Sequence, residues 1–413
     1  LPELLSVQEA QELILAAFEP VHAVSVELPH AVNRILAKDI RSTTDLPPFA
    51  NASMDGFAVI ASDLENTPVK LEIIADIPAG VFPEVSIQHG KAARVMTGAP
   101  IPDGSNAVVP IENTDLYQSQ VPNPLPDSVT VLRPVQPGEY IRPRGQDLHK
   151  DTVVLKKGRR LQPQDIGLAA SLGIYRIPVY AKPRIALLVT GDELVHPNEP
   201  LTPGKIRDAN SYILGSLIER SGGAIVSLGV APDDPTVIRE RLESAKSQQV
   251  DLILTSAGVS VGAFDFVRSV VLENGTLTFW KVNMRPGKPL AFGSYRGIPL
   301  VGLPGNPVSA YVGFLIFILP ALRKMTGVVE VNLPHRKVFL AEEVESDGRE
   351  SYLRVILIHR DNRLEAVLSG HQGSGNIYSL VQANALLILP SGVKSLPVGS
   401  EVNCLLIDDE IGY

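Results

Sequence analysis

The segment Leu252-Ile253-Leu254-Thr255-Ser256-Ala257-Gly258-Val259-Ser260-Val261-Gly262 runs from a short apolar stretch into a glycine- and serine-rich turn, and Asp265 then opens a helical pattern over 265–274. A buried parallel strand hands over to a crossover helix in this way. The same rhythm extends outward in both directions. Upstream, the run 185–189 leads into Thr190-Gly191-Asp192-Glu193 and a helical pattern over 211–221. The run 224–230 leads into Pro232-Asp233-Asp234-Pro235 and a helix over 235–246. Downstream, the run 298–303 leads into Pro304-Gly305-Asn306-Pro307 and a long helix over 308–325. Strand and helix alternating across 184–325 predict a mostly parallel sheet with helices on both faces. Ligands of such sheets bind at the carboxyl ends of the strands, so all four loops are expected on one edge.

On either side the texture changes. Residues 3–19 read as a helix capped by Ser6, with Glu9 completing a capping box. A second short helix is expected over 29–37. Short apolar runs between Pro, Gly and Asp make 46–145 a mostly β module. A helix over 162–172, ended by Gly173, returns the chain to the first unit. Residues 330–413 revert to short alternating strands. The expected architecture is therefore multidomain α/β plus β. A discontinuous helical, elongated unit (1–45 with 146–178) and a β domain (46–145) precede the central α/β domain (179–328), and a C-terminal β domain (329–413) follows it.

Composition narrows the function. The 413 residues give a prior of about three domains at roughly 150 residues each. With 45% hydrophobic and 20% charged residues the chain is globular in type. A net charge of −8 argues against general nucleic-acid binding, which needs a basic footprint. Cys404 is the single cysteine, so no intrachain disulfide and no cysteine zinc cluster can form, and a reducing, cytoplasmic setting is expected. The eight histidines form no His-x-x-x-His pair, which disfavours a zinc hydrolase. No basic segment leads into an apolar core at the start, so no signal peptide is expected. The uncharged apolar stretch 308–322 is shorter than the roughly 20 residues of a spanning helix and reads as a buried core helix, so no membrane association is expected.

The chemistry is expected at the loop edge. Backbone N–H groups and hydroxyls over 255–262, Ser256, Gly258 and Ser260 among them, suit a phosphate at a helix N-terminus. The segment has neither the Gly-Lys-Ser/Thr of a P-loop nor a G-x-G-x-x-G fingerprint. Asp192, Glu193, Asp233 and Asp265 are expected to share the cleft, and carboxylates beside a phosphate call for a cation such as Mg²⁺. Trp280-Lys281-Val282-Asn283-Met284-Arg285-Pro286-Gly287-Lys288-Pro289 places three cations within eight residues, an anion clamp if it lies beside the acids. Asp55, Thr97 and Asp147 stand at turns of the β module, Arg354 in a strand-like run, and Gly370-His371-Gln372-Gly373-Ser374 in a polar glycine-rich loop.

In chain order, Met54-Asp55-Gly56, Met96-Thr97-Gly98-Ala99-Pro100, Thr190-Gly191-Asp192-Glu193, Gly258-Val259-Ser260-Val261-Gly262, Pro286-Gly287-Lys288-Pro289, Leu303-Pro304-Gly305-Asn306-Pro307-Val308-Ser309-Ala310 and Gly370-His371-Gln372-Gly373-Ser374 resemble the molybdopterin molybdenumtransferase family, that of bacterial MoeA proteins and the gephyrin E domain. The resemblance covers nearly the whole chain. It implies a four-domain homodimer with a central molybdopterin-binding domain, and possible contact with a molybdopterin adenylyltransferase. The implied reaction is Mg²⁺-dependent insertion of molybdate into adenylylated molybdopterin, with release of AMP. It implies that Asp192, Glu193 and Asp265 hold Mg²⁺, with Asp233 also near the adenylyl-pterin. Lys281, Arg285 and Lys288 would counter anion charge. Ser256, Gly258, Ser260, Pro304, Gly305, Asn306, Pro307, Arg354 and Ser374 would bind substrate, the last two groups, Arg354 and Ser374, approaching molybdate. Asp55, Thr97 and Asp147 would complete the cleft, plausibly from the other subunit. Ala257 and Arg285 depart from the family's usual glycine and lysine, and the oxyanion, molybdate or tungstate, stays open.

Other readings compete. Gly258-Val259-Ser260-Val261-Gly262 fits a nucleophile elbow, with Ser260 as a hydrolase serine, but no later histidine stands in the α/β segment. A non-catalytic dimeric scaffold or pterin-binding module is a second alternative, and a relative that performs the adenylylation itself is a third, against which the extra β domains and the bipartite helical unit argue.

Overall fold

The computed structural model describes residues 4–117, 125–257, 263–360 and 362–407, the side chains of 263–265 excepted. The chain forms two compact units, Leu1–Lys38 with Gly158–Ile166 and Arg176–Tyr413, and Asp39–Lys157 with Gly167–Tyr175.

The first unit is built on a six-stranded sheet. Its strands are β1 (Arg184–Thr190), β2 (Ala224–Ala231), β3 (Leu252–Ala257), β4 (Gly275–Lys281), β5 (Pro289–Tyr295) and β6 (Ile298–Pro304), in the spatial order β2-β1-β3-β6-β5-β4. The first four in that order are parallel, and β5 and β4 add an antiparallel edge. Successive side chains alternate between faces. Ile185, Leu187 and Val189 therefore enter one core, with α1 (Val7–Ala16) and α3 (Asn210–Arg220). Ala186 and Leu188 enter another, with α4 (Pro235–Ser247) and α5 (Ala263–Asn274). The helix α2 (Pro163–Ser171) follows its sequence expectation and is ended at Gly173, whose φ is +73°.

Three elements differ from their sequence reading. The expected helix over 29–37 is a single 3₁₀ turn, Leu28–His30, because Asn33 takes a left-handed φ of 64° and Ile35 and Leu36 bridge to Arg160 and Val179. The long apolar helix is α6 (Pro307–Gly313), a π turn (Phe314–Ile318) and α7 (Leu319–Met325), mostly buried in the first core as expected of a core helix. The basic segment 280–289, for which the sequence shows no element, contains a short strand, Met284–Arg285, parallel to Glu350–Arg360.

The strand Glu350–Arg360 belongs to a C-terminal sheet within the same unit. It pairs with Arg363–Leu368 and Ala385–Leu389, while His335–Leu340 and Glu401–Leu406 close the ring between those two. The ring fills with alternating inward side chains such as Leu353, Val355 and Leu357.

The second unit carries a five-stranded sheet in the spatial order Ala107–Pro110, Gly56–Val59, Lys91–Val95, Val69–Ile77, Ser128–Val131. Gly56 is required there, since a Cβ would sit 2.0 Å from the Val109 carbonyl oxygen. Ile40–Arg41 pairs with Val153–Leu155 in this unit.

Candidate active site

The parallel strands β1, β2, β3 and β6 end together, and their registers Thr190 to Ala231, Val189 to Ser256 and Ala257 to Pro304 place the four loops on one edge, as expected. The chain leaves β1 through α3 to β2 on one side and returns through α4 to β3 on the other. The crevice between β1 and β3 is thus the topological switch point where α/β sheets take ligands.

Acids gather on its β1–β2 side. The Asp233 backbone N–H donates to the Asp192 Oδ1 at 3.1 Å. Burial, and then the charges of Asp192 and Glu193, hold the Asp233 carboxyl above the usual carboxylate range. Its Oδ1 is buried without a hydrogen-bond partner. Glu193 folds back over Gly191, where a Cβ would lie 2.8 Å from its carboxylate. None of these three acids has an ion-pair partner among the described residues; Lys205 instead reaches the Asp192 carbonyl oxygen. Asp265 lies in α5, and its side chain, with Gly258 and Ser260, falls outside the described residues.

The other side of the crevice is neutral and polar. The Ser256 Oγ donates to the Pro304 carbonyl at 3.2 Å and accepts from the Asn210 Nδ2 at 2.8 Å. The Asn210 Nδ2 also donates to the Gly305 carbonyl at 2.7 Å. Asn306, at the N-cap of α6, donates through its Nδ2 to the Ser374 Oγ at 3.0 Å, and the Val308 N–H donates to the Ser374 carbonyl. Ser256, Pro304, Gly305, Asn306, Pro307 and Ser374 are thereby brought together.

Arg354 is placed differently from its expectation. It is fully buried, and its guanidinium donates to the carbonyls of His371, Gln372 and Gly373 and to the Ser379 Oγ, in α8 (Ile377–Gln382). It meets the site through the loop it holds, because its donors are spent on that loop. Burial, then Arg285, brings its pKa down to about 10. The three cations of the basic segment are not one cluster of like function. The Lys281 Nζ stacks 4.4 Å from the centroid of the Trp280 ring. Half-buried Arg285 faces the C-terminal ring, where its charge acts on both Asp347 and Arg354. Lys288 is exposed.

In the second unit, the Asp55 Oδ1 accepts from the N–H and Oγ1 of Thr97, both at 2.7 Å, which holds its carboxyl below the usual range. Asp147 pairs with Arg142 at 2.6 Å. Asp55 and Thr97 thus form one hydrogen-bonded pair, and Asp147 is tied separately.

Comparison with known proteins agrees along the whole chain. Residues 5–173 match the MoeA N-terminal region (domain I and II), 186–324 a probable molybdopterin binding domain, and 337–407 the MoeA C-terminal region (domain IV). A molybdopterin molybdenumtransferase 2 of Mycobacterium tuberculosis is 36% identical, with 96% of this chain and 98% of the relative covered. The chain belongs to the molybdopterin molybdenumtransferase family. This is a family of transferases acting in molybdenum cofactor biosynthesis. A molybdopterin molybdenumtransferase of Nostoc sp. is 36% identical, over 91% of this chain and 87% of the relative. The crystal structure of a molybdopterin biosynthesis MoeA protein from Pyrococcus horikosii has a TM-score of 0.85 at 30% identity, with both chains fully covered.

Within this family member, sequence reasoning missed Asn210. The pattern at 207–211 reads only as a helix start. Its signal is structural, since the Asn210 Oδ1, like the Oγ1 of Thr255 in the hydroxyl-bearing turn, is buried near the carboxyl ends of the strands with no hydrogen-bond partner. Buried polar atoms are rarely left so, and a cluster of them calls for an explanation.

Proposed function

We propose that this protein inserts molybdate into adenylylated molybdopterin, releasing AMP, with Mg²⁺ assisting. The observation that carries this reading is the division of the switch-point crevice into an acidic side, Asp192, Glu193 and Asp233, and a neutral hydrogen-bonding side, Ser256, Pro304, Gly305 and Asn306. The pair suits a phosphate bridged by a cation beside a nitrogen heterocycle.

Among the described residues no group of three His, Cys, Asp or Glu side chains is spaced to cage an ion. Mg²⁺ keeps several waters and shares one or two carboxylates with phosphate oxygens. The unpaired acids and the raised Asp233 carboxyl also fit a cationic ligand. Asp192, Glu193 and Asp265 would hold it, and it would offset phosphate charge and polarise a phosphoryl oxygen.

No nucleophilic side chain is required, since the dithiolene sulfurs and the oxyanion bring the reacting atoms. The chain's own task is positioning and electrostatics. Ser256, Gly258, Ser260, Pro304, Gly305, Asn306 and Pro307 seat the pterin and phosphate. Lys281, Arg285 and Lys288 counter the anionic charge, and Ser374, set by the loop on Arg354, faces the oxyanion. Asp55, Thr97 and Asp147 complete the cleft from a second copy in a homodimer. The organisation into four domains, with 1–45 and 146–178 as one of them, belongs to the same reading, as do a cytoplasmic setting and hand-over from a molybdopterin adenylyltransferase.

The test is AMP release, followed by chromatography, from purified protein with adenylylated molybdopterin, Mg²⁺ and molybdate. Release that requires molybdate is the expected result. No release from folded protein with either molybdate or tungstate would refute the reading.

A further inference from the structure

We infer that Asn210 is a substrate-positioning residue: it fixes the β3 and β6 ends of the crevice with its amide nitrogen and turns its amide oxygen to an N–H group of the pyrimidinone half of the pterin. The inference rests on the pterin-binding reading above and deepens it.

Its geometry leaves little choice. Asn210 is the first residue of α3, and 6% of it is exposed. The Gly305 carbonyl can only accept, so the nitrogen of the side-chain amide must face it, at 2.7 Å. The Ser256 hydroxyl spends its proton on the Pro304 carbonyl, so it too accepts from that nitrogen, at 2.8 Å. Both amide hydrogens are therefore used, and the orientation of the group is fixed. The Oδ1 is left buried with no hydrogen-bond partner.

Position makes this more than a structural curiosity. Its partners, Ser256 near the end of β3 and Gly305 just past β6, hold Asn210 at the carboxyl edge of the sheet, where β3 also borders the switch-point crevice. A buried acceptor with both lone pairs unspent, held rigidly there, recognises a donor. Phosphate and molybdate bring oxygens, which repel it. A pyrimidinone ring brings amino and lactam N–H groups, which match it. Asn210 thus selects for the heterocycle, whereas the acidic side of the crevice deals with charge.

The test compares two probes by calorimetric titration of the full chain: a dihydropterin with free N–H groups on the pyrimidinone ring, and the same ring methylated at N2 and N3. A site built around a buried acceptor rejects the ligand that lacks the donor, so wild type should prefer the free ring by at least about 10-fold. Asn210→Ala should bring that preference to near unity. A residue that merely braced the loops would weaken both probes alike and leave the ratio intact, and that outcome overturns the inference while pterin binding stands. Wild-type protein that binds neither probe removes the pterin-binding reading and this inference with it. Asn210→Ser guards against a folding artefact, because its hydroxyl can still donate towards the Gly305 carbonyl while the amide oxygen is gone, and its ratio too should fall to near unity.

Discussion

Asp233 shows how a site residue trades stability for function. Burial and the charges of Asp192 and Glu193 raise its carboxyl pKa in the folded chain above its ordinary value of 3.8. A raised acid releases its proton later in the folded state than in the unfolded one. Its favourable contribution is complete below pH 3.8 and is lost as pH rises through the folded pKa. Asp233→Asn should therefore raise the urea midpoint at pH 7, and the advantage over wild type should shrink towards pH 4. An equal advantage at both pH values would show that the carboxylate is not under repulsion. Arg354 is the opposite kind of residue, a charge that stabilises by being fully engaged. Arg354→Met leaves the carbonyls of His371, Gln372 and Gly373 without their donor and should cost about 3 kcal/mol in urea unfolding, at roughly 1 kcal/mol or more per stranded group. Arg354→Lys keeps charge but cannot span three carbonyls, and should recover only part of that loss. These two residues also mark what the sequence could tell. Asp192, Glu193 and Asp233 were legible because acids following apolar runs must share the edge of a parallel sheet. Arg354 was recognisable as special but not in its role, because no local pattern shows that a strand arginine turns inward to a loop about 17 residues further on. Asn210 was invisible, since its importance lies in which of its atoms lacks a partner.

At the scale of elements, the reading of the central sheet rested on period and punctuation, and those are local. The runs ending at Thr190, Ala231, Ala257 and Pro304 each close on a turn that fixes where the strand stops. The antiparallel strands Gly275–Lys281 and Pro289–Tyr295 escaped because they flank a basic segment whose charge suggested a loop. Likewise the helical spacing over 29–37 lost to tertiary pairing of Ile35 and Leu36. The long core helix supplies a testable case of one element repairing another. Pro320 has no N–H, so it cannot donate to the Ile316 carbonyl four residues earlier, and the helix passes through a π turn just before it. The Gln11 Nε2, from α1, donates to that carbonyl at 2.9 Å instead. Gln11→Leu should cost about 1–2 kcal/mol in urea unfolding, the penalty for stranding one buried carbonyl. In a Pro320→Ala background the same substitution should cost clearly less, because residue 320 then carries an N–H of its own. Equal costs in both backgrounds would mean that Gln11 matters only for packing.

At the scale of the whole molecule, the proposed site asks for residues from both compact units, Asp55 and Thr97 from one and Asp192 from the other. If a symmetric dimer pairs the second unit of one copy with the first unit of its partner, each active site draws on two chains. Complementation measures this directly. Asp55→Ala and Asp192→Ala chains are each expected to be nearly inactive alone. Unfolded together, mixed equally and refolded, half of the dimers are hybrids. In a hybrid one site collects both substitutions and the other collects neither. AMP release should therefore recover to about a quarter of the wild-type rate, the product of one half hybrids and one half intact sites. A site completed within a single chain predicts no recovery at all, because every chain then carries a damaged site. The two arrangements differ by this large factor even though either would give a stable dimer in a sizing experiment. The outcome consequently decides which chain supplies Asp55 and Thr97 to each site.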